Sequence, residues 1–386
     1  MTTTIPYSCQ DISEDDIAAV VAALRSPFLT QGPAVPEFET RFSDLHRMKH
    51  GIAVSNATAA LHIACLALGA APGMRVWTSP NSFVASANCA RYCGATVDFV
   101  DIDPTTRNMS VSKLAEKLEA ADRGGELPGI VIPVDFAGYP CDMREIRELA
   151  DRYGFKILSD SSHAVGASYH GEAIGRYADI SVFSFHPVKI ITTGEGGICL
   201  TDDEALAAKL RLYRSHGITR DPVFMSQEPD GPWYYEQTML GFNYRLTDIQ
   251  AALGVSQLTR HAYRAEQRNY FASRYDSALA SLPLRLPPRS SDRISAHHLY
   301  VIEIDKEQTE KKRKDVFNYL RTAGISVNVH YIPIHLQPYY RKLGFSDGDF
   351  PMSEKYYQNA ISIPLFATMN EMQQDRVVET LSKAIN

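Results

Sequence analysis

No run of this 386-residue chain is apolar for long enough to cross a bilayer. The run from Leu61 to Ala71 is interrupted by His62 and fits a buried helix, so no membrane span is expected. Cysteine is scarce. The six residues (Cys9, Cys65, Cys89, Cys93, Cys141, Cys199) are scattered, mostly within apolar segments, and read as buried thiols in a reducing cytoplasm. Cys89 and Cys93 can share a helix face, but nothing nearby completes a ligand set, so no metal is expected. Basic charge is also short, with 39 Lys and Arg against 45 Asp and Glu and a net charge of −6. That balance argues against a general nucleic-acid or anionic-membrane surface. The opening residues, Met1-Thr-Thr-Thr-Ile-Pro-Tyr7, offer neither a basic region nor an apolar stretch, so they are not expected to be a secretory signal. Repeats and low-complexity tracts are absent. So is a G-x-G-x-x-G after the first apolar strand, where the chain reads Val54-Ser-Asn-Ala-Thr58. That excludes a nicotinamide dehydrogenase, which the strand–helix pattern would otherwise permit.

What is present is ordinary for a globular protein: 45% apolar and 22% charged residues, in a length that suits one large domain and a smaller one. Asp11 to Leu24 is amphipathic, with Ser13 placed to cap it. Short apolar strands are expected at 51–55, 75–77, 96–100, 129–134, 156–158, 180–185 and 198–200, with helices at 58–68, 83–92, 111–120 and 143–153 between them. This alternation predicts an α/β fold with a mostly parallel sheet covered on both faces. After Gln257 the texture changes to a charged helix (262–280), a strand (299–304) and two more helices. The expected division is therefore a large domain over 12–257 and a smaller α+β domain over 258–386 with 1–11. The proline-rich stretch Leu282 to Pro288 reads as a linker.

Four segments at strand ends carry the chemistry. In the first, Lys189 follows the strand at 180–185 and Pro187, and precedes a glycine-rich turn. A lysine held among apolar residues is costly to keep charged, and a neutral amine condenses with aldehydes; most lysines instead extend to solvent. Asn56-Ala-Thr-Ala opens a helix after a strand, so its amides and the Thr58 hydroxyl suit a phosphate, or Thr58 is a plain cap. Asp160 follows a buried strand, with His163 three residues on. A carboxylate there suits a protonated pyridine nitrogen, or it caps a turn. Phe83 offers a flat face at another strand end, or packs in the core. Ser184 can add a phosphate donor. Together these groups are the set that pyridoxal phosphate requires.

At this point the chain resembles the sugar aminotransferases of the DegT/DnrJ type, which have the aspartate aminotransferase-like fold. The resemblance rests on an ordered series: Leu29-Thr-Gln-Gly-Pro33, Ser55-Asn-Ala-Thr-Ala-Ala-Leu61, Ser159-Asp-Ser-Ser-His-Ala-Val-Gly166, Phe183-Ser-Phe-His-Pro-Val-Lys189, Gly194-Glu-Gly-Gly197, Gly241-Phe-Asn-Tyr-Arg-Leu-Thr-Asp248 and Val329-His-Tyr-Ile-Pro-Ile-His335. Within the family, the segments 79–88, 158–163, 214–217 and 298–300 are similar to the branch serving pseudaminic acid biosynthesis. That branch aminates carbon 4 of a UDP-linked 4-keto-6-deoxy-N-acetylhexosamine with glutamate as donor. The resemblance implies that Lys189 binds the cofactor aldehyde, Asp160 partners the pyridine nitrogen, His163 lies beside the ring oxygen and Phe83 stacks on the ring. It places Ala57, Thr58 and Ser184 at the phosphate, joined by Asn243 from a neighbouring subunit, and so implies a homodimer with shared sites. Arg245, His330 and Tyr331 fall where relatives contact the nucleotide sugar or amino acid; a guanidinium fork suits diphosphates and carboxylates. Ala57 stands where many relatives have glycine, and Ser159 where many have glutamate. A sugar dehydratase of the same family has histidine at the lysine position, so Lys189 argues against that chemistry. Two alternatives remain: amination of another UDP- or dTDP-keto sugar, and a sensor that holds pyridoxal phosphate without turnover.

Overall fold

The structure, a computed structural model, describes residues 4–385. The expectations that touch Met1, Thr2, Thr3 and Asn386, both for a signal and for the smaller domain, lie outside the described residues. Helix α1 (Glu14–Arg25) starts at a reciprocal cap. Ser13 Oγ accepts the Asp16 amide at 3.3 Å, and the Asp16 carboxylate accepts the Ser13 amide at 2.8 Å. Helix α2 (Ala34–Leu45) is started from a distance, because the Asp248 carboxylate accepts the amides of Gly32 (2.8 Å) and Ala34 (3.0 Å).

Seven strands build the central sheet: β1 (His50–Val54), β2 (Arg75–Thr78), β3 (Thr96–Phe99), β4 (Ile130–Ile132), β5 (Lys156–Asp160), β6 (Ile180–Ser184) and β7 (Gly197–Thr201). Their spatial order is β1-β7-β6-β5-β4-β2-β3. The pairs from β6 through β5, β4 and β2 to β3 are parallel, whereas β7 runs antiparallel to both neighbours. Every residue of β6 and β7 is buried, the mark of strands covered on both faces. Side chains alternate between the two covers. Along β6, Phe183 packs with Phe38 and Phe42 of α2, while Ile180 and Val182 join the cluster around α3 (Ala57–Ala67). Helices α4 (Ala85–Tyr92), α5 (Val111–Gly124), α6 (Met143–Tyr153), α7 (Glu204–Arg214) and α8 (Asp248–Leu258) complete the layers.

Beyond α8, helix α9 (His261–Leu279) leads to an antiparallel sheet of β8 (Leu284–Arg285), β9 (Tyr300–Ile304) and β10 (Ala360–Ile363). Helices α10 (Arg313–Thr322) and α13 (Glu371–Ile385) contribute Val316, Leu320, Val377 and Leu381 to the core beneath it. Between them, α11 (Pro338–Arg341) and α12 (Pro351–Asn359) return to the central sheet. Tyr340 and Phe350 there set their ring edges against Phe99 of β3.

Two local expectations change. The stretch 282–288 is not a linker, because Leu284 and Arg285 pair with Ile304 and Glu303 as an edge strand. Helix α4 starts at Ala85 rather than 83, and Phe83 stands in the loop before it. All six cysteines are free thiols, five of them buried. Among the described residues, no helix is long and apolar enough to cross a membrane.

Candidate active site

In open α/β sheets ligands bind beyond the carboxyl ends of the strands. Here a cavity of about 740 Å³ opens past the ends of β5 and β6. Nine expected site residues line it: Ala57, Thr58, Phe83, Asp160, His163, Ser184, Lys189, His330 and Tyr331. Two do not. Asn243 is exposed, bridged through its backbone to Ser215, and Arg245 borders a separate pocket of about 230 Å³ with Gln31, Glu39 and Arg214.

Asp160 is the last residue of β5 and is buried. Ser86 Oγ donates to its Oδ2 at 2.6 Å, and Ser162 Oγ donates to its Oδ1 at 2.6 Å. Each carboxylate oxygen thus accepts one short hydrogen bond from a hydroxyl. Behind it, Asp135 donates its amide to the Asp160 carbonyl at 3.1 Å. The Asp135 carboxyl accepts from Ser161 Oγ (2.7 Å) and the Cys141 amide (2.9 Å). Burial nevertheless raises its pKa to about 6, with the Asp160 charge adding to the rise.

Lys189 sits in the turn after β6, its amide bonded to the His186 carbonyl at 2.9 Å. Loss of water around Nζ lowers its pKa to about 7; Asp160 opposes that fall and Arg268 reinforces it. A lysine near neutrality at physiological pH is the form a nucleophile or base needs. Nζ lies 3.4 Å from His298 Nε2.

His163 is fixed by Ala137, whose amide donates to Nδ1 at 3.2 Å, and its Nε2 is 3.4 Å from the Tyr331 hydroxyl. The two rings lie nearly parallel, 21° apart at 6.4 Å. Burial first, then the charges of Lys189 and His330, hold the imidazole neutral by pushing its pKa far down. His330 is bound through Nδ1 to Ser362 Oγ at 2.7 Å, and burial lowers its pKa to about 4, helped by Lys189. Burial also raises the Tyr331 phenol, and Asp160 and Tyr7 push the same way.

The helix α3 start forms the anion-facing wall. Asn56 Oδ1 accepts the Ala59 amide at 2.8 Å, and the Ala60 amide bonds to the Asn56 carbonyl. The amides of Ala57 and Thr58 precede the first helical bond and are open to an anion. Gly197, at the start of β7, lets this turn settle against the sheet: a Cβ there would lie 2.6 Å from the Ala57 nitrogen. Phe83 is 57% exposed at the cavity rim, 6.4 Å from Tyr331, and so is not a core residue.

The cavity therefore offers an amine near neutrality, a clamped carboxylate, open helix amides with Ser184 at the β6 end, and a free aromatic face. These fit the groups of pyridoxal phosphate. Four contributors were not read from the sequence. Ser162 carries a signal, a serine two residues after an aspartate. Ser86 and His298 lie in segments that carry the family resemblance, but nothing local names their partners, and Asp135 carries no signal; each meets its partner only through the fold.

Comparison with known proteins agrees with this geometry. A profile of the DegT/DnrJ/EryC1/StrS aminotransferase family matches residues 10–382. The spore coat polysaccharide biosynthesis protein SpsC of Bacillus subtilis is 37% identical, over 98% of this chain and 96% of its own. The UDP-4-amino-4,6-dideoxy-N-acetyl-beta-L-altrosamine transaminase of Campylobacter jejuni is also 37% identical, over 98% and 96%. Among solved structures, Helicobacter pylori PseC, an aminotransferase of pseudaminic acid biosynthesis, superposes with a TM-score of 0.90 at 30% identity over 99% of both chains. Spr1654 from Streptococcus pneumoniae, in its PLP form, gives a TM-score of 0.88 at 29% identity, over 99% of this chain and 98% of its own. With the profile matched almost end to end, the chain belongs to the DegT/DnrJ/EryC1/StrS aminotransferase family.

Proposed function

We propose that this chain is a pyridoxal-phosphate-dependent aminotransferase. In this reading it moves an amino group from L-glutamate to carbon 4 of a UDP-linked 4-keto-6-deoxy-N-acetylhexosamine, in pseudaminic acid biosynthesis. The observation that carries the reading is Lys189, with a pKa near 7, facing the clamped carboxylate of Asp160 across one cavity. The choice of sugar is supported by the names of the Campylobacter and Helicobacter relatives. SpsC, at equal identity, supports a second reading, amination of a different nucleotide-linked keto sugar.

When bound, pyridoxal phosphate supplies an aldehyde that exchanges amines and a ring that draws electron density from the substrate carbon. The protein's part is to hold and to move protons. The amides of Ala57 and Thr58, with the Thr58 and Ser184 hydroxyls, take the phosphate. Asp160, held by Ser86 and Ser162, would partner the ring nitrogen. His163, held neutral, would partner the ring oxygen, and Phe83, at the cavity rim, would stack on the ring. Lys189 would hold the aldehyde through its amine and, when free, would serve as the base that takes the proton from the substrate's α-carbon and delivers it to the former aldehyde carbon. His330 and Tyr331 border the substrate side of the cavity.

The proposed enzyme is a homodimer with shared sites. Asn243, exposed and outside this chain's own cavity, reaches the phosphate of a second copy in this reading, whereas Arg245, also outside the cavity, keeps its expected role toward the nucleotide sugar or amino acid. The division into a large domain over 12–257 and a small one over 258–386 with 1–11 belongs to the same reading. α9 begins a second core there, under β8, β9 and β10.

The test is to incubate the enzyme with glutamate until its spectrum shows the aminated cofactor, then to add UDP- and dTDP-linked keto sugars one at a time. Return of the starting spectrum with the UDP-linked 4-keto sugar, and a product of the expected mass, supports the proposal. Return only with another sugar moves the assignment to the second reading. No spectral response to glutamate indicates a sensor without turnover.

A further inference from the structure

His298 borders the cavity beside Lys189 and takes no part in holding the cofactor groups. It precedes β9, is 3% exposed, and has its Nε2 3.4 Å from Lys189 Nζ. Its backbone is pinned by the buried Arg268, whose Nη1 donates to the carbonyls of His297 (3.2 Å) and His298 (3.1 Å). Its ring rests on His163, with centroids 4.3 Å apart at 43°. Among the described residues its Nδ1 is buried without a hydrogen-bond partner.

That unpaired nitrogen decides where the proton sits. An N–H buried without an acceptor is rare and costs more than an unpaired lone pair. The proton therefore belongs on Nε2, where the Lys189 amine can accept it. The reverse arrangement, an ammonium donating to Nε2, places an orphan Nδ1–H in the interior beside the Arg268 guanidinium. A doubly protonated ring is disfavoured by burial and by Lys189, His163, Arg268 and His330 around it.

We infer that His298 is a positioning residue for Lys189: as the neutral Nε2–H tautomer it donates a hydrogen bond to the amine. The inference rests on the role assigned to Lys189 above and adds a partner to it. Donation to the lone pair favours the neutral amine and opposes uptake of a proton. It acts with Arg268 and against Asp160, which attracts the ammonium. Lys189 thus stays both nucleophile and base near neutral pH, with its nitrogen held on the cavity floor.

The unmodified full-length chain provides one test. Nitrogen-15 spectra of labelled histidine should show His298 protonated at Nε2; a proton on Nδ1, or on both nitrogens, overturns the inference. Two variants provide the other. His298→Phe keeps a ring against His163 and removes the N–H, whereas His298→Gln keeps a donor. The pH midpoint of Lys189 acylation in the cofactor-free chain should rise by about one unit in the phenylalanine variant and return toward the parent in the glutamine variant. The acid limb of kcat in the loaded enzyme should move the same way. An unchanged or lowered midpoint in His298→Phe overturns the inference. If Lys189→Ala turns over normally, the functional reading itself falls. If Lys189 is indispensable but the midpoints coincide, only the role of His298 falls.

Discussion

Ser86 Oγ donates to Asp160 Oδ2 at 2.6 Å, tying the first turn of α4 to the end of β5 across 74 residues of sequence. With Ser162 on the other oxygen, the carboxylate is gripped from both sides and cannot turn away from the cavity.

The grip predicts graded kinetics. Asp160→Asn should lower kcat/KM by roughly 10²-fold or more, as removal of a charge that stabilises a transition state does. Ser86→Ala, which removes one hydrogen bond to a charged group, should cost about tenfold. Steady-state rates with glutamate check both. Full activity in Asp160→Asn would remove the carboxylate from the mechanism.

The shared site predicts complementation. Lys189→Ala and Asn243→Ala are each expected to be defective alone. Mixed after unfolding and refolding together, half of the dimers are heterodimers with one intact site in two, so activity should recover to about a quarter of the parent's. A fully active monomer, seen by sedimentation with simultaneous assay, contradicts the shared site.

Gly197→Ala tests the close approach beneath the helix start. Its new Cβ would meet the Ala57 nitrogen and the Asn56 carbonyl carbon at 2.6 Å, and both are backbone atoms. Overpacking of this kind costs about 1–3 kcal/mol. The expected result is a lower melting temperature and weaker binding of pyridoxal phosphate, read by fluorescence titration. Unchanged affinity indicates that α3 does not hold the phosphate.

Lys189 makes stability depend on pH in the cofactor-free chain. Unfolded, the lysine keeps its proton up to 10.5; folded, only up to about 7. Between these values the unfolded chain binds the extra proton, so stability rises with pH, and the cost is complete below about pH 7. Lys189→Met removes that cost. Urea melts should show the variant more stable than the parent below pH 7, with the gap closing as pH climbs toward 10.5. A gap of constant size contradicts the buried, deprotonated amine.

Much of the central sheet is legible in the chain because its strands are buried on both faces and so form short apolar runs between amphipathic helices. Asp160 and Lys189 are legible for the same reason, as polar residues set at the ends of such runs. The reversed direction of β7 is not, since a buried strand has the same composition whichever way it runs. Phe83 was open between core and rim because an aromatic beside a strand end suits both; the structure puts it at the rim. The stretch 282–288 looked like a linker because prolines mask a two-residue strand whose partner, β9, is recognised only once paired.

Local pattern thus determined most strands of the central sheet and several of the helices around it, where Asp160 and Lys189 stand along them, and, through an ordered series of motifs, the family. Tertiary structure alone decided who faces whom. It brought Ser86 to Asp160 and His298 to Lys189, and it left Asn243 and Arg245 outside the cavity. The reason is physical. Burial and hydrogen-bonding periodicity act within a few residues and leave their mark on the chain. A pKa, by contrast, is set by the charges and dipoles within a few ångströms, whichever part of the chain supplies them.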